Sequence, residues 1–290
     1  MTGLARPITG EEIEAYESDG VVCLRGVMPA AWLDRMRAPI ESEIAAARSA
    51  DLSQMARAIE AGGGEILEDA PIASAPAGRF VAGTDHWRSH EEFRAFAAES
   101  PLPEIVAALM RSQRVHLYED SLLVKEPGSK ERTAYHQDLA YFHVEGEQIC
   151  TTWCPLDPVT PETGAVSYVR GSHRWGKVYR PNLFVSREEI PGTLGEPLPP
   201  IDDHPEDYDL VQFSLEPGDV TVHHARTLHG AGGNASADQR RRAISVRYTG
   251  DDARFHVRQG APTKPHHAGL GEGDAMGGAG APCVWGPVAR

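Results

Sequence analysis

Apolar residues in the first third of the chain recur at helical spacing; from Val115 onward they gather into short β-rich runs separated by turns. Thr9 with Glu12 makes a capping box that opens a helix over about 10–19, with Ile13 and Tyr16 on its apolar face. Gly20 stops that helix, and Val21-Val22-Cys23-Leu24 reads as a short buried strand. Pro29 suits the first turn of a second helix running to about Arg48, with Trp32, Leu33, Met36 and Ile40 turned inward. The Gly- and Pro-rich stretch 61–88 reads as an irregular loop. Ser89 with Glu92 forms another capping box ahead of a helix over 90–98, and Leu102–Met110 is one more helix.

Strand-like runs follow at 115–125, 149–154, 165–169, 210–215, 219–223 and 242–248. Turn clusters such as Pro127-Gly128, Pro161-Glu162-Thr163-Gly164 and Pro217-Gly218-Asp219 divide them. Many short strands at this spacing predict a sandwich, jelly roll or barrel, with the preceding helices packed outside one sheet. The proline-rich segment 177–209 reads as an insertion over the barrel mouth. Residues 259–290, rich in Gly, Pro and Ala, read as a mobile tail or lid. No internal repeat is present, so the first 258 residues read as one domain, helical over about 9–112 and β over about 115–250.

Composition narrows the function. Hydrophobic residues at 41% and charged residues at 24% place the chain among globular proteins. A formal net charge of −14 argues against nucleic acid or an anionic membrane as partner, since both need a basic face. Cys150 and Cys154, four apart in a strand, would have Cα atoms about 13 Å apart, too far for a bridge. With neither a disulfide framework, a C-x-x-C pair, a leader nor a membrane span in view, the reading is a reducing cytoplasm.

The chemistry centres on Tyr135-His136-Gln137-Asp138. In extended chain, positions i and i+2 face the same way about 6.5–7 Å apart, so an imidazole and a carboxylate can converge on one metal ion. A third ligand must come from elsewhere. His229, in Leu228-His229-Gly230, is the best placed, read as ending the strand after Pro217-Gly218-Asp219 at a Gly-rich turn; His223 and His224 compete for the same role. Two histidines and a carboxylate on one face leave the other positions open, as in non-haem Fe(II) oxygenases. Arg240-Arg241-Arg242 follows, and a hairpin return would bring it back beside His229. A guanidinium there can grip a carboxylate through two N–H groups. At least one of the three is expected to face the pocket.

Taken together these stretches resemble the phytanoyl-CoA dioxygenase family of Fe(II)/2-oxoglutarate oxygenases. The match runs in order over roughly 9–258, from Asp19-Gly20-Val21-Val22 through His136-Gln137-Asp138-Leu139-Ala140-Tyr141-Phe142, Trp153, Glu162-Thr163-Gly164, Arg170-Gly171-Ser172-His173 and Pro217-Gly218-Asp219-Val220 to His229-Gly230 and the Arg-Arg-Ala-Ile-Ser run. The resemblance implies a double-stranded β-helix (a jelly roll, cupin-like) with helices on one sheet. It implies Fe(II) held by His136, Asp138 and His229, with 2-oxoglutarate bound by Arg241 and with Arg240 as the alternative. Trp153 and Lys125 are the family's tryptophan and lysine near the cosubstrate.

Where the family often carries Ser two residues past the distal histidine, this chain has Ala231, so that cosubstrate hydrogen bond is either missing or supplied by Ser245 or Thr151. The implied reaction uses O2, converts 2-oxoglutarate to succinate and CO2, and hydroxylates an unactivated C–H bond of a small-molecule or acyl substrate. Related halogenases have a small residue at the carboxylate position, so Asp138 favours hydroxylation. A cupin-like metal-binding protein or a hydrolase or isomerase on the same barrel is the alternative, though it would leave Arg241 without a purpose. His173 reads as structural. Tyr141 and His143 read equally as substrate-side or loop-packing residues, and His266 and His267 have no role. A CoA ester would need cations at the mouth, for which Arg174, Lys177 and Arg180 are the candidates.

Overall fold

Alternation of inward and outward side chains along the long strands decides the architecture. The computed structural model describes residues 3–46, 49–70, 77–264 and 267–287. The larger sheet has the order β1 (Val21–Leu24), β10 (Val220–His224), β7 (Ile149–Pro155), β12 (Arg241–Thr249), β4 (Val115–Lys125), β3 (Phe80–Thr84), β2 (Ala50–Asp51), and β14 (Cys283–Trp285) also pairs with β4. The smaller sheet has the order β5 (Thr133–His136), β11 (His229–Ala231), β8 (Val166–Val169), β9 (Leu210–Gln212). A short pair, β13 (Arg254–Phe255) with β6 (Val144–Glu145), stands apart. The two sheets make the jelly roll.

On β12, Ile244, Val246 and Tyr248 turn outward into the main core, with Cys150 and Cys154 of β7 beside them. Helices α1 (Gly10–Asp19), α2 (Ala30–Ala45), α4 (Glu91–Glu99) and α5 (Leu102–Met110) bring Trp32, Phe93, Phe96 and Ile105 to that face. Burial of this apolar surface holds the helical layer to the sheet, and the Tyr248 hydroxyl donates to the Ala97 carbonyl at 2.7 Å. The opposite, inward positions of the same strands carry Arg241, Ser245, Arg247, Thr151 and Trp153. One period-2 pattern thus separates core from site.

The Thr9–Glu12 capping box is present, and α1 ends on Gly20 at φ +73°. A Cβ at Gly20 would lie 2.2 Å from the His173 ring, so glycine is required both by conformation and by space. The second capping box is absent: α4 begins one residue later, with His90 as its uncapped first flank. Ser89 belongs instead to a turn closed back on His86. The stretch 61–88 is not all loop, because Phe80–Thr84 pairs with β4 as β3 and His86–Arg88 forms a 3-10 turn. The second helix stops at Ala45, and Leu52–Ala61 forms a separate α3 capped by Asp51. The last segment packs back on the barrel, with Met276 and Ala281 buried and β14 completing the sheet beside β4. His267 is buried there, its ring 5.1 Å from that of Tyr118, whereas His266 lies outside the described residues.

Candidate functional site

His136 closes β5 and His229 opens β11, and these two residues pair across the small sheet. Asp138 follows at the start of a 3-10 turn. His229 therefore does not end the strand after Pro217-Gly218-Asp219, as the sequence pattern predicts. It starts a new strand in the other sheet, after a crossover at Ala225–Leu228. The rings of His136 and His229 lie 4.2 Å apart.

Each histidine is oriented by its other nitrogen. His136 Nδ1 is 2.8 Å from the Ala134 carbonyl and His229 Nδ1 is 3.0 Å from the Thr227 carbonyl. Both Nδ1 atoms therefore carry the proton and both Nε2 atoms present lone pairs inward. Asp138 Oδ1 stands 3.7 Å from His136 Nε2 and 3.9 Å from His229 Nε2. Two ligands bound to one ion at about 2.0–2.2 Å cannot be more than about 4.4 Å apart, so all three donors fit a single ion. The other oxygen, Oδ2, accepts from the Thr151 hydroxyl and faces His223 Nε2 at 3.3 Å. Burial alone would push the Asp138 carboxyl up, but Arg247 and the facing histidines hold it well below the usual range. Burial drives the His229 imidazole well down, so it is neutral and ready to ligate.

His223 Nε2 faces the second oxygen of Asp138 and stands outside the cluster formed by His136, Asp138 and His229. His224 points away to the Glu147 carbonyl at 2.8 Å, its pKa lowered to about 3 by burial.

A narrow cavity extends inward from the three donors. Arg241, Trp153, Thr151 and Ser245 line it, with His223 and Arg247. The hairpin expected to deliver Arg241 does not exist, since β12 lies in the opposite sheet between β4 and β7. Its guanidinium reaches the cavity across the barrel. Among the described residues it has no hydrogen-bond or ion-pair partner, and its Cζ sits 5.4 Å from the Trp153 ring centre. Arg241 is 2% exposed, and burial lowers its pKa to about 10. A buried cation left unpaired is a binding site for an anion. Its neighbours are spoken for: Arg240 pairs with Glu41 and Glu126, and Arg242 with Asp157. Lys125 lies behind this cavity, over the Phe80 ring, donating to the carbonyls of Glu131 and Gly232.

A second, larger cavity of about 530 Å³ meets the first at His136, Asp138, Leu123, Phe184 and Arg247. Phe184, from the 177–209 insertion, holds φ +66°, a conformation costly for a bulky residue. Its ring closes both cavities. Tyr141 lines the larger one; His143 does not, binding instead the Pro262 carbonyl at 3.0 Å and so anchoring the last segment. Pro262 and Lys264 of that segment form part of the wall. Arg174 and Lys177 are exposed and Arg180 pairs with Glu189, so none of these cations faces the chamber. Two residues with evident parts in the site, Arg247 and Phe184, escaped sequence reading. For Arg247 a signal existed: it follows Arg241 and Ser245 at even spacing on one strand face.

A jelly roll carrying two histidines and a carboxylate at one seam, opposite a buried arginine without an acidic partner, defines the iron- and 2-oxoglutarate-dependent oxygenases. The donor set and the unpaired Arg241 fit that ion and that dicarboxylate. The family profile described as Phytanoyl-CoA dioxygenase (PhyH) matches residues 16–243, and the chain belongs to this family. It is 22% identical over 257 residues to human peroxisomal phytanoyl-CoA dioxygenase, covering 86% of this chain and 70% of that one. It is 28% identical over 230 residues to the 1-deoxypentalenic acid 11-beta-hydroxylase of Streptomyces arenae, covering 77% and 74%. The solved structure of the non-heme alpha ketoglutarate dependent carbocyclase SnoK from nogalamycin biosynthesis superposes with a TM-score of 0.68 at 25% identity, covering 98% of this chain and 99% of that one. The protein is an oxygenase enzyme that uses iron, 2-oxoglutarate and O2 on a small-molecule substrate. Among the described residues no helix is long and apolar enough to cross a membrane.

Proposed function

We propose that the enzyme hydroxylates an unactivated C–H bond of a small molecule seated in the larger chamber. In this reading His136, Asp138 and His229 hold Fe(II), and Arg241 and Ser245 bind the far carboxylate of 2-oxoglutarate in the inner cavity. One observation carries it: the two cavities meet at His136 and Asp138, with the unpaired arginine in one and a mainly apolar chamber in the other. Bound there, iron with 2-oxoglutarate and O2 supplies an oxidant able to break such a C–H bond, with succinate and CO2 as co-products.

The chain's own residues do the rest. Thr151 and His223 hold Asp138 so that Oδ1 faces the two imidazoles. Trp153 walls the cosubstrate pocket and stacks near Arg241, fixing the guanidinium plane. Lys125 positions the Glu131 and Gly232 backbone behind it rather than touching the dicarboxylate. Leu123 and Phe184 keep water from the junction of the cavities, where a stray water would intercept the reaction. The 1-deoxypentalenic acid hydroxylase among its relatives supports hydroxylation; the carbocyclase shows that this fold also serves ring closure.

Anaerobic titration with Fe(II) and then 2-oxoglutarate tests the site, through the weak visible charge-transfer band of the chelate. The band is expected in the wild type and weakened in Asp138→Ala and Arg241→Ala; its absence from the wild type refutes the assignment. A turned-over substrate should gain one oxygen atom from labelled O2. A product lacking it would replace hydroxylation with desaturation, cyclisation or epimerisation.

A further inference from the structure

Among the described residues lining the larger chamber, Arg247 is a buried cation with hydrogen-bonding capacity left unspent. It projects from β12 on the same face as Arg241 and Ser245 and lines both cavities. One Nη donates to the Ser121 hydroxyl, while Nε has no hydrogen-bond partner. The nearest acids are Glu119 at 3.5 Å and Asp138 at 3.8 Å, long beside the roughly 2.7–2.9 Å of a charge-assisted hydrogen bond.

Both acids are already engaged. Asp138 Oδ2 takes the Thr151 hydroxyl, and Oδ1 faces the imidazoles. Glu119 Oε2 is paired with Lys264, which also holds Asp85 at 2.7 Å. Each acid on this wall thus already faces a cation, while Arg247 Nε remains without a hydrogen-bond partner. Across from it the lining is apolar, with Leu52, Leu123, Phe142 and Phe184.

We propose that the substrate is an apolar molecule bearing a carboxylate, and that Arg247, assisted by Lys264, is the residue that binds it. This rests on the reading that the larger chamber holds the substrate. An amine would have to compete with Lys264 and Arg247 for acids that already face them, and a neutral molecule would leave the guanidinium buried with donors unmet. A carboxylate fits the free fork of N–H groups and leaves its carbon skeleton against the apolar wall. The volume of about 530 Å³ is of the size that encloses a small acid, and the cations expected for a CoA ester do not face it.

Calorimetry on the anaerobic enzyme, loaded with Fe(II) and saturating 2-oxoglutarate, tests this with decanoate, 1-decanol and decylamine as probes. Decanoate is expected to bind at least roughly tenfold more tightly than either of the others, the scale of one charge-assisted pair. Arg247→Met should abolish that preference while changing decanol affinity by less than about twofold. Arg247→Lys should retain part of it. Lys264→Met, whose ammonium pairs with Glu119 and Asp85 and not with His136, Asp138 or His229, should reduce it by a smaller factor and keeps the test alive should Arg247→Met fail to fold.

Equal binding of decanol or decylamine, no measurable binding of decanoate, or a preference that survives Arg247→Met overturns the proposal. The charge-transfer band read in the same samples separates the two readings. A band without carboxylate preference sinks this inference alone, and no band sinks the oxygenase site itself.

Discussion

Replacing Arg241 by Met should make the ligand-free protein more stable while removing its capacity to bind 2-oxoglutarate. The guanidinium is buried with no anionic partner in contact, and burial lowers its pKa to about 10. At about 1.4 kcal/mol for each tenfold change, this corresponds to a destabilisation on the order of 3 kcal/mol in the ligand-free fold. Stacking near Trp153 offsets about 1–2 kcal/mol of that. Methionine fills much of the same space without a charge. The net gain is about 1–2 kcal/mol, or about 2–5 °C in melting temperature for a chain of this size. Against this, truncating one side of a buried charge pair costs about 2–5 kcal/mol of binding, so 2-oxoglutarate affinity should fall at least about 30-fold. Differential scanning fluorimetry with and without 2-oxoglutarate, in the presence of Mn(II) as an inert metal, reads both effects. The wild type should gain stability with the cosubstrate and the variant should not. A variant that melts lower than wild type without ligand, yet is still stabilised by 2-oxoglutarate, would refute the argument that Arg241 is an unpaired cation awaiting a carboxylate.

Further tests follow from other contacts. Thr151→Val removes the hydroxyl that holds Asp138 Oδ2, and should weaken metal affinity by about 10–100-fold in an anaerobic titration, with the fold intact by circular dichroism. Gly230→Ala would place a Cβ 2.9 Å from the Thr133 carbonyl at the seam between β5 and β11; metal binding should fall more than thermal stability does, as measured on the same preparation. Asp219 accepts from Arg25, Gly26 and Glu216, and although burial opposes it, those bonds hold its carboxyl below the usual range. Its stabilising effect is present above the unfolded-state pKa and lost as pH falls through the folded one, so urea curves of wild type and Asp219→Asn should differ at pH 7 and converge in acid.

What the sequence reveals and what it hides divide along a physical line. The three candidate metal donors could be picked out because their signals are local: His136 and Asp138 stand two apart in extended chain, and His229 stands before a Gly-rich run. Their surroundings are not legible, because they depend on which sheet each strand joins. The Gly-rich run after His229 reads as a hairpin, yet it carries the chain from the small sheet to the large one, and Arg241 meets the site across the barrel. Nothing local distinguishes the two outcomes, since the turn residues serve both. The same holds for Phe80–Thr84: short, Gly-flanked and without alternation, it becomes a strand only because β4 offers an unpaired edge. Ser89 fails as a cap because the preceding 3-10 turn claims it. Where strand alternation alone decides, the pattern does carry over. Read in steps of two from Arg241, the inward face of β12 is Ala243, Ser245 and Arg247, so the strand that carries Arg241 at one end also turns Arg247 into the barrel three steps of the pleat further along.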